Sequence, residues 1–142
     1  MRIKTVSSEL QDRSGLELAR IAAAAALDMK AENLVILDVR GLSSVTDYFV
    51  LMNGRSTRHV QSLARAVEES LASKRLKSGD TEGLAEGLWV LLDFNDLVVH
   101  IFYRDLREFY DLDGLWHDAE RIIPEEEAPA KNSAEKTNPG KG

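Results

Sequence analysis

A chain of 142 residues, 44% hydrophobic and 30% charged, suits a single globular domain with a core of its own and lies well away from the composition of a disordered chain. It has no cysteine, which excludes disulfides and thiolate metal sites and points to a reducing compartment. The formal charge is −6, and the Lys and Arg residues are scattered, so direct nucleic-acid binding through phosphates is disfavoured and a basic protein partner is favoured.

Met1 to Gln11 contains two basic residues with no apolar run behind them, so it does not read as a secretory signal. Nothing approaches the ~18 consecutive apolar residues of a membrane span, and the alanine run Ala22–Ala26 is far shorter. The expected location is cytoplasmic, with no membrane partner. Residues 1–13 read as an N-terminal extension. Ser14 and Glu17 have the spacing of a capping box, predicting a helix over Leu16 through Met29. Leu34–Val39 is short, aliphatic and β-branched, predicting a strand buried on both faces. Asp47–Asn53 predicts a second strand, ended by Gly54. Ser56 is the candidate N-cap of a second helix to about Lys74, with Val60, Leu63, Ala64, Val67 and Leu71 at helical spacing.

Leu76–Glu86 reads as a loop with room for a short strand. Leu88–Phe94 and Leu97–Arg104 then form a hairpin about a turn at Asn95-Asp96. Asp105 and Glu108 have capping-box spacing for a short helix through Phe109 or Tyr110, and Leu112–Trp116 is a final turn. From Pro124 to Gly142 there is no aromatic or large aliphatic residue, so 124–142 is expected to be a disordered acidic, proline-containing tail behind a domain of residues 14–123. The element order predicts an α/β (α+β) fold. It has a mixed sheet of four or five strands and the helices mainly on one face.

A two-residue hairpin turn pairs Trp89 with Phe102, Leu91 with His100 and Asp93 with Val98. The opposite face, Leu88, Val90, Leu92 and Phe94 against Tyr103, Ile101, Val99 and Leu97, is almost wholly apolar and is expected to be the helix-covered core. The first face mixes large aromatic side chains with ionisable ones, the composition of a protein-binding surface. Alternatively the C-terminal segment, with Phe109, Tyr110, Leu115 and Trp116, folds back over it. The two readings are compatible.

Candidate chemistry is thin. His59, His100 and His117 are far apart and no zinc spacing exists. His100 near Asp93 could mimic a general base held by a carboxylate, but no nucleophile is paired with it, and a satisfied strand histidine is the simpler reading. Gly54-Arg55-Ser56 before a helix invites comparison with a phosphate cradle, yet it lacks the second glycine and the Lys-Ser/Thr of a P-loop. The mixed sheet invites comparison with nucleotidyltransferases, but no helix-start Gly-Ser followed by two strand aspartates is present to hold metal ions. No catalytic, cofactor-binding or metal-binding residue is expected, and the chain is read as no enzyme.

A family resemblance is carried by Asp28-Met29-Lys30-Ala31-Glu32-Asn33, Leu37-Asp38-Val39-Arg40-Gly41-Leu42-Ser43-Ser44-Val45-Thr46-Asp47-Tyr48-Phe49-Val50, Gly54-Arg55-Ser56-Thr57-Arg58-His59-Val60-Gln61, Glu82-Gly83-Leu84-Ala85-Glu86-Gly87-Leu88-Trp89-Val90-Leu91-Leu92-Asp93, Val98-Val99-His100-Ile101-Phe102, and Arg107-Glu108-Phe109-Tyr110 with Leu112-Asp113-Gly114-Leu115-Trp116. In this order they resemble the ribosomal silencing factor (Iojap-related) family over about Leu16 to Asp118. Tyr103, where a second histidine is common, Asp111 and Asp113-Gly114 depart from the family pattern. The resemblance implies a nucleotidyltransferase-like fold without activity. It also implies binding to the universal fourteenth protein of the large ribosomal subunit, on the face that meets the small subunit, which blocks subunit joining and represses translation. A role in late large-subunit assembly is the alternative, and a nucleotidyl- or phosphotransferase the remote one. A homodimer of the free protein is also implied. With this partner, the expected anchors are Trp89, His100, Phe102, Tyr110 and Trp116, and the carboxylates expected to pair with basic groups are Asp93, Glu108, Asp111 and Asp113. Asp47 and Tyr48 are expected to be structural.

Overall fold

The computed structural model describes residues 15–72 and 80–124. In chain order these form α1 (Gly15–Asp28), β1 (Glu32–Asp38), β2 (Tyr48–Gly54), α2 (Thr57–Ala72), β3 (Asp80–Glu82), β4 (Trp89–Asp93), β5 (Leu97–Tyr103), α3 (Leu106–Tyr110), α4 (Leu112–Leu115) and β6 (Glu120–Ile122). The sheet has six strands in the order β3-β4-β5-β2-β1-β6, where four or five were expected. The difference lies at its edges. Both β3 and β6 are three-residue strands of largely polar sequence, which carry no alternating apolar signal. Ser14, Lys74 and Leu76, and the proposed segments 1–13 and 125–142, lie outside the described residues.

β2 and β5 are the central pair and run parallel, with Tyr48 opposite Leu97 through Gly54 opposite Tyr103. The remaining pairs are antiparallel. Strand alternation divides the core into two layers. On one face, Ile36, Val50, Met52, Val90, Leu92, Val99 and Ile101 meet both long helices. Here α1 contributes a stripe of small residues, Ala19, Ala22, Ala23 and Ala26, which lets its backbone approach closely; α2 contributes Val60, Leu63, Ala64, Val67 and Leu71. On the other face a smaller layer joins Leu37, Val39, Phe49, Leu51, Val98 and Ala119, with Leu112 and Trp116 against it. Covered on both sides, β2 is buried at all seven positions.

The entry to α2 is an ordinary capped helix start. Ser56 Oγ accepts from the His59 backbone N–H at 3.0 Å. His59 Nδ1 accepts from the Arg55 N–H at 2.9 Å, and its Nε2–H donates to the Met29 carbonyl at 2.8 Å, tying the α1–β1 turn to the start of α2. Tyr48 is structural: its ring is buried against Gly15, and the Arg40 guanidinium lies 5.3 Å from its centroid. Asp105 does not cap α3 as expected. It has right-handed helical φ and ψ and its side chain makes no capping bond, so the Asp105–Glu108 box is not formed. The side chain that does cap is Asp111, which accepts from the Gly114 N–H at 3.0 Å and starts α4. Leu88, expected in the core, is 42% exposed because it lies just before β4.

Candidate docking site

The hairpin register matches the pairing read from the turn: Trp89 opposite Phe102, Leu91 opposite His100 and Asp93 opposite Val98. The chain from α3 to Trp116 folds over the face these residues share. Trp89 stacks on Phe102 with centroids 5.2 Å apart, and Tyr110 lies over Trp89 at 4.5 Å. Phe109 meets Tyr110 edge-on at 5.1 Å. At the other end Trp116 packs edge-on against Phe49 at 5.4 Å, and Phe49 against His100 at 5.2 Å. One aromatic ladder therefore runs from the sheet interior to the surface.

Two of the expected contact residues form the floor of this ladder rather than its surface. Phe102 is fully buried and His100 is 6% exposed, with the Trp89 ring against both and Phe49 against His100. The Trp89 indole N–H donates to His100 Nδ1 at 3.1 Å, so the imidazole carries its proton on Nε2 and is neutral. Burial lowers the His100 pKa to about 4, which holds it neutral at pH 7. It is a buried strand histidine that accepts from Trp89, while Asp93 turns to the Asn95 N–H. Trp89 and Trp116 are half-buried and Tyr110 is exposed.

Three of the four expected carboxylates are engaged within the chain. Asp93 Oδ1 accepts from the Asn95 N–H at 2.8 Å and shapes the hairpin turn. Asp111 caps α4. Asp113 takes a two-pronged contact from Arg107, Nε and Nη2 each at 3.0 Å, and a third bond from Arg121 at 3.2 Å. These arginines hold its carboxyl below the usual carboxylate range. Glu108 is exposed and stands, with Asp105, beside an apolar groove of about 640 Å³ lined by Leu88, Tyr103, Leu106 and Phe109.

Sequence reasoning missed two kinds of residue. Phe109, at 77% exposure, and Leu115, at 68%, present their apolar side chains to solvent, where one reading of the sequence folds them back over the sheet. Arg107, given no role by the sequence, is only 8% exposed. A polar cleft of about 550 Å³, lined by Glu32, Asn53, Arg104, Asp105 and Asp111 among others, opens beside it. Among the described residues no group of three or more His, Asp or Glu side chains is placed to hold a metal ion, and no helix is long and apolar enough to cross a membrane.

At this end of the mixed α/β domain, exposed aromatic and aliphatic side chains stand beside carboxylates. Residues 12–141 match the family described as "Ribosomal silencing factor during starvation". The chain is 41% identical over 102 residues to the ribosomal silencing factor RsfS of Bacillus subtilis, covering 72% of this chain and 86% of that one. It is 35% identical over 114 residues to the chloroplastic protein Iojap of Zea mays, covering 78% of this chain and 48% of that one. A crystal structure of a protein from Chromobacterium violaceum superposes with a TM-score of 0.70 at 33% identity, over 71% of this chain and 84% of that one. The chain belongs to the ribosomal silencing factor family.

Proposed function

We propose that this chain is a non-enzymatic regulator that docks on the large ribosomal subunit, through the universal fourteenth protein, on the face that meets the small subunit. Occupying that face blocks subunit joining sterically and represses translation. Family membership supports the ribosome as the target. The observation that carries the docking site is the exposed end of the aromatic ladder. Phe109 and Tyr110 stand outside a rigid floor of Trp89, His100 and Phe102, beside the carboxylates of Asp105 and Glu108. Aromatic anchors on a fixed base lose little entropy on docking, and the acidic edge suits a basic ribosomal protein. In this reading Trp89, Tyr110 and Trp116 remain contacts, Phe109, Leu88 and Leu115 join them, and His100 and Phe102 support them from below. Residues 14–123 are the docking domain, and the sheet with both long helices on one face is a nucleotidyltransferase-like scaffold used without its chemistry. The free protein forms a homodimer in the cytoplasm and docks as a monomer.

Gradient sedimentation with separated subunits tests this. Co-sedimentation with the large subunit and inhibition of joining are expected; absence of binding to purified large subunits overturns it. A second reading, late large-subunit assembly, is favoured by one relative, the mouse "Mitochondrial assembly of ribosomal large subunit protein 1", 29% identical over 89 residues. It is distinguished by immature large subunits accumulating on depletion while joining of mature subunits is unaffected.

A further inference from the structure

The exposed rings Phe109 and Tyr110 sit on a helix of five residues, followed by one of four. Helices this short are unstable by themselves, so something outside them must fix where the rings stand. The side chain in a position to do so is Arg107. Its guanidinium is the meeting point of distant stretches of chain: Nε and Nη2 grip Asp113 of α4, and Nη1 donates to Asn53 Oδ1 at 3.2 Å and to the Asn33 carbonyl. Arg121, in β6, closes the cluster through Asp113.

Two backbone irregularities serve this contact. β1 slips register against β2 between Glu32 and Val35, and Asn33 there has φ 53°. The bulge takes Asn33 out of the regular ladder, and its carbonyl is received by the guanidinium. Asp111 has φ 52°, which reverses the chain between α3 and α4 and returns Asp113 to Arg107 six residues earlier. Both strained positions are asparagine or aspartate, the side chains that best tolerate a left-handed backbone.

We propose that Arg107 is the positioning residue of the docking face: a buried guanidinium that touches no partner but fixes α3 and α4, and with them Phe109 and Tyr110, on the sheet. This rests on the docking role proposed above for that face. A lysine keeps the charge but offers a point donor in place of a planar fork, and cannot serve Asp113, Asn53 and Asn33 together. The first core layer lies on the other face of the sheet and does not include Arg107, so losing the clamp frees the cap locally.

The test uses the full chain, as wild type, Arg107→Lys, Arg107→Met, Tyr110→Ala and the double variant Arg107→Met/Tyr110→Ala. Amide exchange is measured along the chain, and affinity for purified large subunits is measured alongside it. Exchange is expected to speed up over residues 106–116 in both Arg107 variants while β2 and β5 keep their protection. Affinity is expected to fall roughly tenfold or more, and Tyr110→Ala is expected to cost much less in the Arg107→Met background than in wild type, because a ring that is no longer held in place has little left to lose. Unchanged exchange over 106–116, loss of protection throughout the sheet, or a full Tyr110→Ala penalty in the double variant each overturn the proposal. Should the wild type fail to bind large subunits, the docking reading alone falls. The exchange pattern still decides whether Arg107 holds the cap.

Discussion

His100 shows how one buried side chain sets a pH response. Its pKa is about 4 in the folded protein against 6.5 for a free histidine, so between these values the unfolded chain binds a proton that the folded chain refuses. Stability is therefore full above about pH 6.5 and falls as the pH drops toward 4, by about 3 kcal/mol in all. Urea unfolding at about pH 7 and about pH 4.5 should show this loss, and His100→Phe should flatten it. Asp113 acts in a lower window: its carboxyl is held below the ordinary value of 3.8, so its contribution persists above that value and is lost only in stronger acid. Among the aromatic residues, exposure separates binding from folding. Tyr110→Ala, at a 48% exposed position over Trp89, should weaken large-subunit binding by ~1–4 kcal/mol, with a smaller fall in melting temperature than Trp116→Ala gives. Trp116→Ala should also cost about 2 kcal/mol of stability, because that ring packs on Phe49. Unchanged affinity for Tyr110→Ala would remove it from the interface.

Among the elements, the β4–β5 hairpin was the most legible. Its period-two alternation and two-residue turn determine both its faces and its register, and the structure pairs the same residues. The burial of one face was less legible. The alternation says which side chains share a face, but not how the Trp89 ring lies against His100 and Phe102. The buried state of Arg107 was not legible at all, because an arginine flanked by Leu106 and Glu108 in a short helix has the local pattern of a surface residue. The hairpin also depends on the loop before it. Gly83 has φ 83°, and a Cβ there would lie 2.0 Å from the Trp89 carbonyl oxygen. Gly83→Ala must therefore displace the start of β4, and should destabilise by at least ~1–2 kcal/mol, measurable as a lower urea midpoint.

For the whole molecule, charge governs encounter. A chain of net charge −6 that approaches a basic partner is steered toward it, and the steering is screened by salt. Replacing the exposed Asp105 and Glu108 by Asn and Gln should slow association and flatten its salt dependence while leaving the dissociation rate nearly unchanged, as stopped-flow binding would show. An unaltered association rate would place the acidic edge outside the interface. The sheet topology has a consequence for the chain's own synthesis. β2, buried at every position, takes β5 as its parallel neighbour, and Tyr48 must wait for Leu97, about 50 residues later in translation. At ~5–20 residues per second, a strand destined to be buried at every position spends roughly 2.5–10 s with one edge unpaired, long enough to need shielding at the ribosomal exit or by a chaperone. A chain released before β5 should therefore aggregate, whereas the full chain should remain soluble.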